Sequence, residues 1–356
     1  MKLQIVKKAG METKQAIILR SAAVLLSLVF AALVIFIFGY NPIKIYAKMI
    51  EGSFFTPFRI QETIHKAIPL IILSLGVSVA FRMKFWNIGA EGQFYMGAVA
   101  ASWVALNFGD LPMLVLIPLM FIVAFITGGL WSLVPAFLKI KCGASETLVT
   151  LMMNYIAIKF VTYLQIGPWK DPNAGGFAKI AKFTSNAVIP KVGGVHLGWI
   201  IALALAALVY FLIKYTKLGY EISVLGENMD TARYAGMNVA KIIILAVLIS
   251  GGICGIAGMI QASAVERSLS DQLSAGLGFT AVITAWLSQL SAPVIVIVSF
   301  LFSVMLQGGA YIQTALQVPA AVAEIIQGII LFFVLGSEFF MQYKIVVHKN
   351  DKEAAK

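Results

Sequence analysis

Long apolar runs alternate with short polar breaks along this chain, and the breaks carry its Lys and Arg residues. A run near 20 apolar residues is enough to cross a bilayer as a helix, so the pattern predicts an all-α, polytopic membrane protein of about ten transmembrane segments, some short or re-entrant. The first run follows a basic amino terminus, reaches Phe38 and lacks a cleavage site, so an uncleaved helix is expected. Polar residues then occupy 41–61. The second run, Ile64 to Phe81, contains Pro69 and is closed by Arg82 and Lys84; the third runs from about Ile88 to Phe108. The fourth, Leu111 to Leu138, ends at Lys139 and Lys141, and the fifth runs from Thr147 to Leu164. A segment rich in Gly, Pro, Asn and Lys, 167–197, is the expected main external loop. The sixth run (Leu197 to Ile213) enters a polar loop, 214–241, and the seventh (Ile242 to Ala264) leaves it. Residues 277–290 are too few to cross comfortably and Pro293 follows them, so the eighth segment is expected to be short or re-entrant. The ninth ends near Leu316 and the tenth covers Ala320 to Phe340.

Basic residues favour the cytoplasmic side. Their placement puts residues 1–16 and the tail 344–356 inside, around a membrane domain of 17–343, with 214–241 also cytoplasmic. Within that loop Gly226-Glu227-Asn228 is read as the end of an extended run, and Asn228 as the N-cap of a two-turn helix that Gly236 stops in the left-handed conformation. Met229, Ala232 and Ala235 would form a narrow apolar ridge on it, fit for a shallow groove on a partner. Asn238 is read as the cap of the next span. A capped helix that only tidies a loop is the plainer reading.

Composition removes other classes. With 60% hydrophobic and 12% charged residues and a mean hydropathy of +0.91, an ordinary soluble domain is excluded. The net charge of +11 is scattered at run ends rather than clustered, which argues for orientation in a bilayer and against nucleic acid. Cys142 and Cys254 are far apart, without metal-ligand spacing, and are expected to be free. No GxxxxGK[ST] loop or HExxH is present, and His65, His196 and His348 stand alone, so no catalytic or metal residue is assigned and no cofactor is expected in this chain.

Polar groups at membrane depth are costly and mark candidate function. Asn87, Glu91 and Gln93 lie together, with Gly89 and Gly92 between them; Glu146, Thr147, Thr150 and Asn154 share one face of the fifth span. Gln289, Gln307, Gln313, Glu324 and Gln327 form a looser set. These groups line a translocation path, together with Phe279, or satisfy one another between helices. Gly251, Gly255 and Gly258 fall on one helical face, where close packing is sufficient explanation.

The run Phe85-Trp86-Asn87-Ile88-Gly89-Ala90-Glu91-Gly92-Gln93, then Gly143-Ala144 with Glu146-Thr147 and Met153-Asn154-Tyr155-Ile156-Ala157, then Gly226, Asn228, Ala232 and Tyr234-Ala235-Gly236, resembles bacterial ABC importer permeases of the branched-chain amino acid and ribose type, most of all their nucleoside and simple-sugar branch. Ser145 departs from the Asn common there before the Glu. The resemblance implies a multi-pass protein of the bacterial plasma membrane, working as a heterodimer with a second permease. It also implies a cytoplasmic ATPase, which would bind ATP and Mg, and an extracytoplasmic substrate-binding lipoprotein. The loop residues Gly226, Asn228, Met229, Ala232, Tyr234, Ala235 and Gly236 would then couple to the ATPase. Amides (Asn87, Gln93, Asn154, Gln289), hydroxyls (Thr147, Thr150) and rings (Phe94, Tyr155, Phe279), without a charged ring of side chains, suit a neutral solute, a nucleoside before a plain sugar. An ion-coupled secondary transporter using Glu91, Glu146 or Glu324 is the rival class, and a membrane enzyme ranks last.

Overall fold

In a computed structural model the chain is described over residues 2–7 and 13–319 and, beyond these, at 321, 322, 324–326, 328, 329, 332, 333, 336, 337 and 343–348. It divides into two compact units, 1–55 with 305–356, and 56–304. In the first unit, Lys2–Lys7 pairs antiparallel with Tyr343–His348, so parts of the two basic ends form a two-stranded ribbon. Helix α1 (Thr13–Ile37) is followed by α2 (Pro42–Phe54), and Ser21–Ile37 and Pro42–Phe54 are bent by 116° to each other. Gly39, at φ +83, turns the chain, and Asn41 restarts the helix by accepting from the Lys44 amide at 3.1 Å, with Pro42 at the first helical position. Residues 41–61, read as a polar connector, are therefore helical for the most part. The few buried positions among them include Gly52, which lies under the Tyr311 ring, and the Tyr311 hydroxyl donates to the neighbouring Glu51 at 2.9 Å.

The second unit contains α3 (Pro57–Arg82), α4 (Ala90–Asn107), α5 (Met113–Cys142), α6 (Glu146–Ile166), α7 (Gly198–Tyr215), α8 (Lys217–Glu227), α9 (Met229–Tyr234), α10 (Val239–Ile260), α11 (Leu277–Leu287) and α12 (Ala292–Leu316), whose carboxyl end passes into the first unit. Helix α10 continues as a π turn to Glu266 and stops at Arg267 in the left-handed region. Burial sorts these helices. The most apolar stretch of α3 is 89% buried and that of α10 78%, against 28%, 33% and 22% for α5, α6 and α7, so α3 and α10 form the protein's own core while the outer helices turn Leu, Ile and Phe outward.

Small residues let the core helices meet at backbone distance. A Cβ at Gly255 would lie 2.3 Å from the Ala124 carbonyl oxygen of α5, one at Gly251 2.4 Å from Ser132 Oγ, and one at Gly258 1.9 Å from the Phe94 carbonyl oxygen of α4. The glycine face of α10 thus touches both neighbours. Among the described residues six helices are long and apolar enough to cross a membrane, seven if α1 and α2 together count as one broken span. The other three of the ten segments read from the sequence are α4, α11 and the run 320–340. Helix α4 is rich in Gly, Ala and Ser and packs among α5, α6 and α10 rather than facing outward, α11 is short as expected, and the run 320–340 lies partly outside the described residues.

Candidate functional site

The break between α3 and α4, residues 83–89, gathers most of the candidate polar groups. Asn87 and Gln93 are buried and exchange two hydrogen bonds, Asn87 Nδ2 to Gln93 Oε1 at 3.1 Å and Gln93 Nε2 to Asn87 Oδ1 at 2.9 Å. Asn87 also donates to Ser250 Oγ of α10 at 3.1 Å and accepts from the Gly89 amide at 3.0 Å. Asn154 of α6 finishes the break: it donates to the Ile88 carbonyl at 2.9 Å and accepts from the Gly92 amide at 2.8 Å. Amide side chains carry both donors and acceptors, and here they stand in for the backbone pairing that the start of α4 lacks. Thr150 is buried beside them, with its Cβ 3.0 Å from where a Gly89 Cβ would lie.

Glu91 has a different partner. Its carboxyl oxygen accepts from the Gly278 amide in the first turn of α11 at 2.7 Å, a site where a helix has unpaired N–H groups and favours an acidic group. One turn further along α4, the Tyr95 hydroxyl donates to the Asp271 carbonyl at 2.7 Å and accepts from the Ser274 amide at 3.2 Å. Residues four apart on one helix face therefore seat the start of α11. Glu146 is half-buried at the first turn of α6 and pairs with Lys139 of α5 at 2.5 Å, across the turn made by Gly143 at φ +66. Phe279 and Gln289 remain outside these networks' core: both are exposed, Phe279 on α11 and Gln289 just beyond it.

The loop 214–241 is more ordered than its sequence suggests. The stretch read as extended is α8, capped by Thr216, whose hydroxyl accepts from the Gly219 amide at 3.1 Å, with Ile222 and Leu225 buried three apart. Burial of that apolar pair favours a helix over the extended conformation. Asn228 then caps α9, its side-chain oxygen accepting from the Asp230 and Thr231 amides at 2.8 and 3.3 Å; Gly236 is left-handed at φ +75 and Asn238 caps α10 through the Lys241 amide at 3.1 Å. The apolar ridge is split. Each three-residue step advances a helix by about 300°, so Met229 and Ala235 flank Ala232 at about 60° on either side; Ala232 is buried within the chain and Tyr234, 93% exposed, is the prominent outward group.

Several residues that position this site were read from the sequence only as run ends or motif members. Arg82 donates through Nη2 to the Leu290 carbonyl at 3.0 Å, and Lys84 donates to the Glu227 carbonyl at 3.3 Å. A Cβ on Gly226 would lie 2.0 Å from the Arg82 carbonyl oxygen, so the polar loop rests directly on the end of α3. Trp86 stacks on Trp286 with ring centroids 5.3 Å apart and planes 21° apart, and Phe81 meets Trp86 edge-on at 5.3 Å. The adjacency of Arg82, Lys84 and Trp86 to the Asn87 break was the available signal.

Residues 59–335 match the family described as branched-chain amino acid transport system / permease component. The chain belongs to this family. It is 33% identical to the guanosine ABC transporter permease protein NupP of Bacillus subtilis, over 88% of this chain and 92% of that protein. It is 32% identical to the glucose ABC transporter permease protein TsgB13 of Haloferax volcanii, over 86% and 83% of the two chains. Identity to the nucleoside ABC transporter permease protein NupB of Lactococcus lactis is 30%, over 88% of each. The protein is therefore an ABC importer permease, a multi-pass membrane protein. The buried amides, the Glu91 clamp and the capped polar loop are features of this permease.

Proposed function

We propose that this permease takes up nucleosides across the bacterial plasma membrane by alternating access, driven by a separate ATPase that holds ATP and Mg and docks on the α8–α9 loop. A second permease subunit completes the path, and an extracytoplasmic lipoprotein delivers the solute. The observation that carries the coupling step is the absence of slack between Gly226 and the Arg82 carbonyl: a push on the loop has to move the end of α3. The exposed Tyr234 and half-exposed Met229 supply an apolar contact for the ATPase. Glu91 and Glu146 each have a protein partner, which favours ATP-driven transport over a proton-coupled carrier.

For the solute, the transport roles named for NupP and NupB favour a nucleoside, and the exposed rings near α11 suit a flat base. A sugar is the second reading, favoured by the name of TsgB13. The test is uptake of labelled guanosine by cells with and without this gene, challenged with excess nucleosides, free bases, glucose, ribose and branched-chain amino acids. Gene-dependent uptake suppressed by nucleosides alone is expected. Suppression by a sugar, with nucleosides inert, would move the assignment to a sugar permease.

A further inference from the structure

Arg82 ends α3 and Lys214 lies in the last turn of α7, and both border a cavity of about 290 Å³ that Ser291 and Ala292 close at the start of α12. No acidic side chain borders this cavity, and among the described residues neither cation is in an ion pair. Two like charges therefore share one pocket without a counter-charge. Arg82 donates from Nη2 to the Leu290 carbonyl at 3.0 Å, while its Nε is buried with no partner. Lys214 donates to the Tyr210 hydroxyl at 2.9 Å, which occupies one of its three N–H groups. Donors remain on both side chains. A basic pocket between the ends of membrane helices is the setting in which a phosphate headgroup binds, because charge-assisted hydrogen bonds to its oxygens satisfy donors of this kind.

We propose that this pocket holds the phosphate of an anionic phospholipid, whose acyl chain lies along the seam of α3, α7 and α12. On those same three helices an apolar groove of about 570 Å³ is lined by Ile68 and Ile71 of α3, Ala202 and Leu203 of α7, and Val296 and Ile297 of α12. No charged side chain lines it, and the exposed Leu203 and Ile297 leave it open from the side. Counted along each helix at 1.5 Å per residue, the groove begins about 6 Å from the pocket on α12, about 9 Å on α7 and about 16 Å on α3. One leaflet's hydrocarbon is roughly 15 Å deep, so a lipid with its phosphate on Arg82 and Lys214 brings a chain into the groove. A soluble phosphate would fill the pocket and leave the groove empty. The headgroup also lies at the seat of the polar loop: Lys214 comes two residues before Thr216, the cap of α8, and the Arg82 carbonyl meets Gly226 without room for a methyl group. This lipid seat does not depend on which solute the permease carries.

The experiment titrates the full-length permease, purified in detergent, with phosphatidylglycerol and counts bound lipid by native mass spectrometry. Phosphatidylcholine, whose headgroup has no net charge, is expected to bind about tenfold more weakly or worse. Lys214→Gln should weaken phosphatidylglycerol about tenfold, the loss of one charge-assisted hydrogen bond. Lys141→Gln makes the same charge change on an exposed side chain in the last turn of α5 and should leave the affinity as it was. Arg82→Gln should weaken the lipid further; because it also removes the Leu290 contact, the exposed Lys214 decides the matter if the Arg82 variant does not fold. Short-chain phosphatidylglycerol should bind more weakly than the long-chain lipid, and inorganic phosphate should not displace it. Equal binding of the two headgroups, an unchanged affinity in Lys214→Gln, or an equal loss in Lys141→Gln overturns the proposal. So does displacement by inorganic phosphate, which would mark the site of a soluble anion. Loss of ATPase co-purification in Lys214→Gln with lipid affinity intact would assign the cations to an acidic surface of a partner chain, and overturns it too.

Discussion

At position 196 a histidine is fully buried with no hydrogen-bond partner on either ring nitrogen, stacked 4.9 Å from the ring of His65. This contrasts with Asn87, Gln93 and Asn154, whose buried amides are paired and which would each leave a partner unsatisfied, at a cost of about 1–3 kcal/mol, if truncated. Burial above all, then the neighbouring His65 ring and Lys191, pushes His196 down from 6.5 to about 3. The sign comes from proton counting: below its ordinary value the unfolded chain binds a proton that folded His196 refuses, so stability falls as pH drops. The contribution is flat above about pH 6.5 and declines by up to about 1.4 kcal/mol per pH unit between there and pH 3. Thermal unfolding of the purified permease between pH 7.5 and 5.5 checks this. His196→Phe should flatten part of that slope, and an unchanged slope would show that His196 takes up its proton as readily in the fold as in the unfolded chain.

At the scale of elements, the polar loop divides into a part that its own residues specify and a part that they do not. Asn228, Gly236 and Asn238 act through amides two or three residues away or through their own backbone, so the ends of α9 and the start of α10 were legible in the sequence. Helix α8 was misread because its pattern KLGYEISVLGE mixes β-branched and small residues, and its apolar face is defined only by the helices it meets. Ala232 is buried within the chain, a placement its small size did not announce, because it fits a partner's groove or the chain's own interior equally well. The burial separates two variants. Ala232→Arg should lower the folding yield, because a charge would be driven into packed space, whereas Tyr234→Ala should insert normally yet lose ATPase co-purification and most uptake. The paired readouts are membrane protein level and ATPase pulled down with the permease. Wild-type co-purification of Tyr234→Ala would remove the outward face of α9 from the docking surface.

Across the second unit as a whole, the candidate path residues separate by the distance in sequence to their partners. That the chain is helical and membrane-borne was legible from run lengths, and the shortness of α11 from its residue count and Pro293. The partners of the polar groups were not. Asn87 meets a serine 163 residues away and Glu91 an amide 187 away, so no local pattern announces that these side chains are occupied by the fold. With Thr150 and Asn154 closed off too, the candidate rings at the surface are Tyr155 on α6 and Phe279 on the outer face of α11. Solute facing a second permease across this surface would meet Phe279 before any of the buried amides. In a Cys142→Ser, Cys254→Ala background, Phe279→Cys should therefore react with a small water-soluble thiol reagent about tenfold or more faster than Asn154→Cys, since modification needs an opening of the packed site that costs free energy. Added guanosine should slow the reaction at 279 and leave that at 154 unchanged. Equal rates at the two positions, or protection confined to 154, would place the path through the amide cluster and assign α11 to lipid.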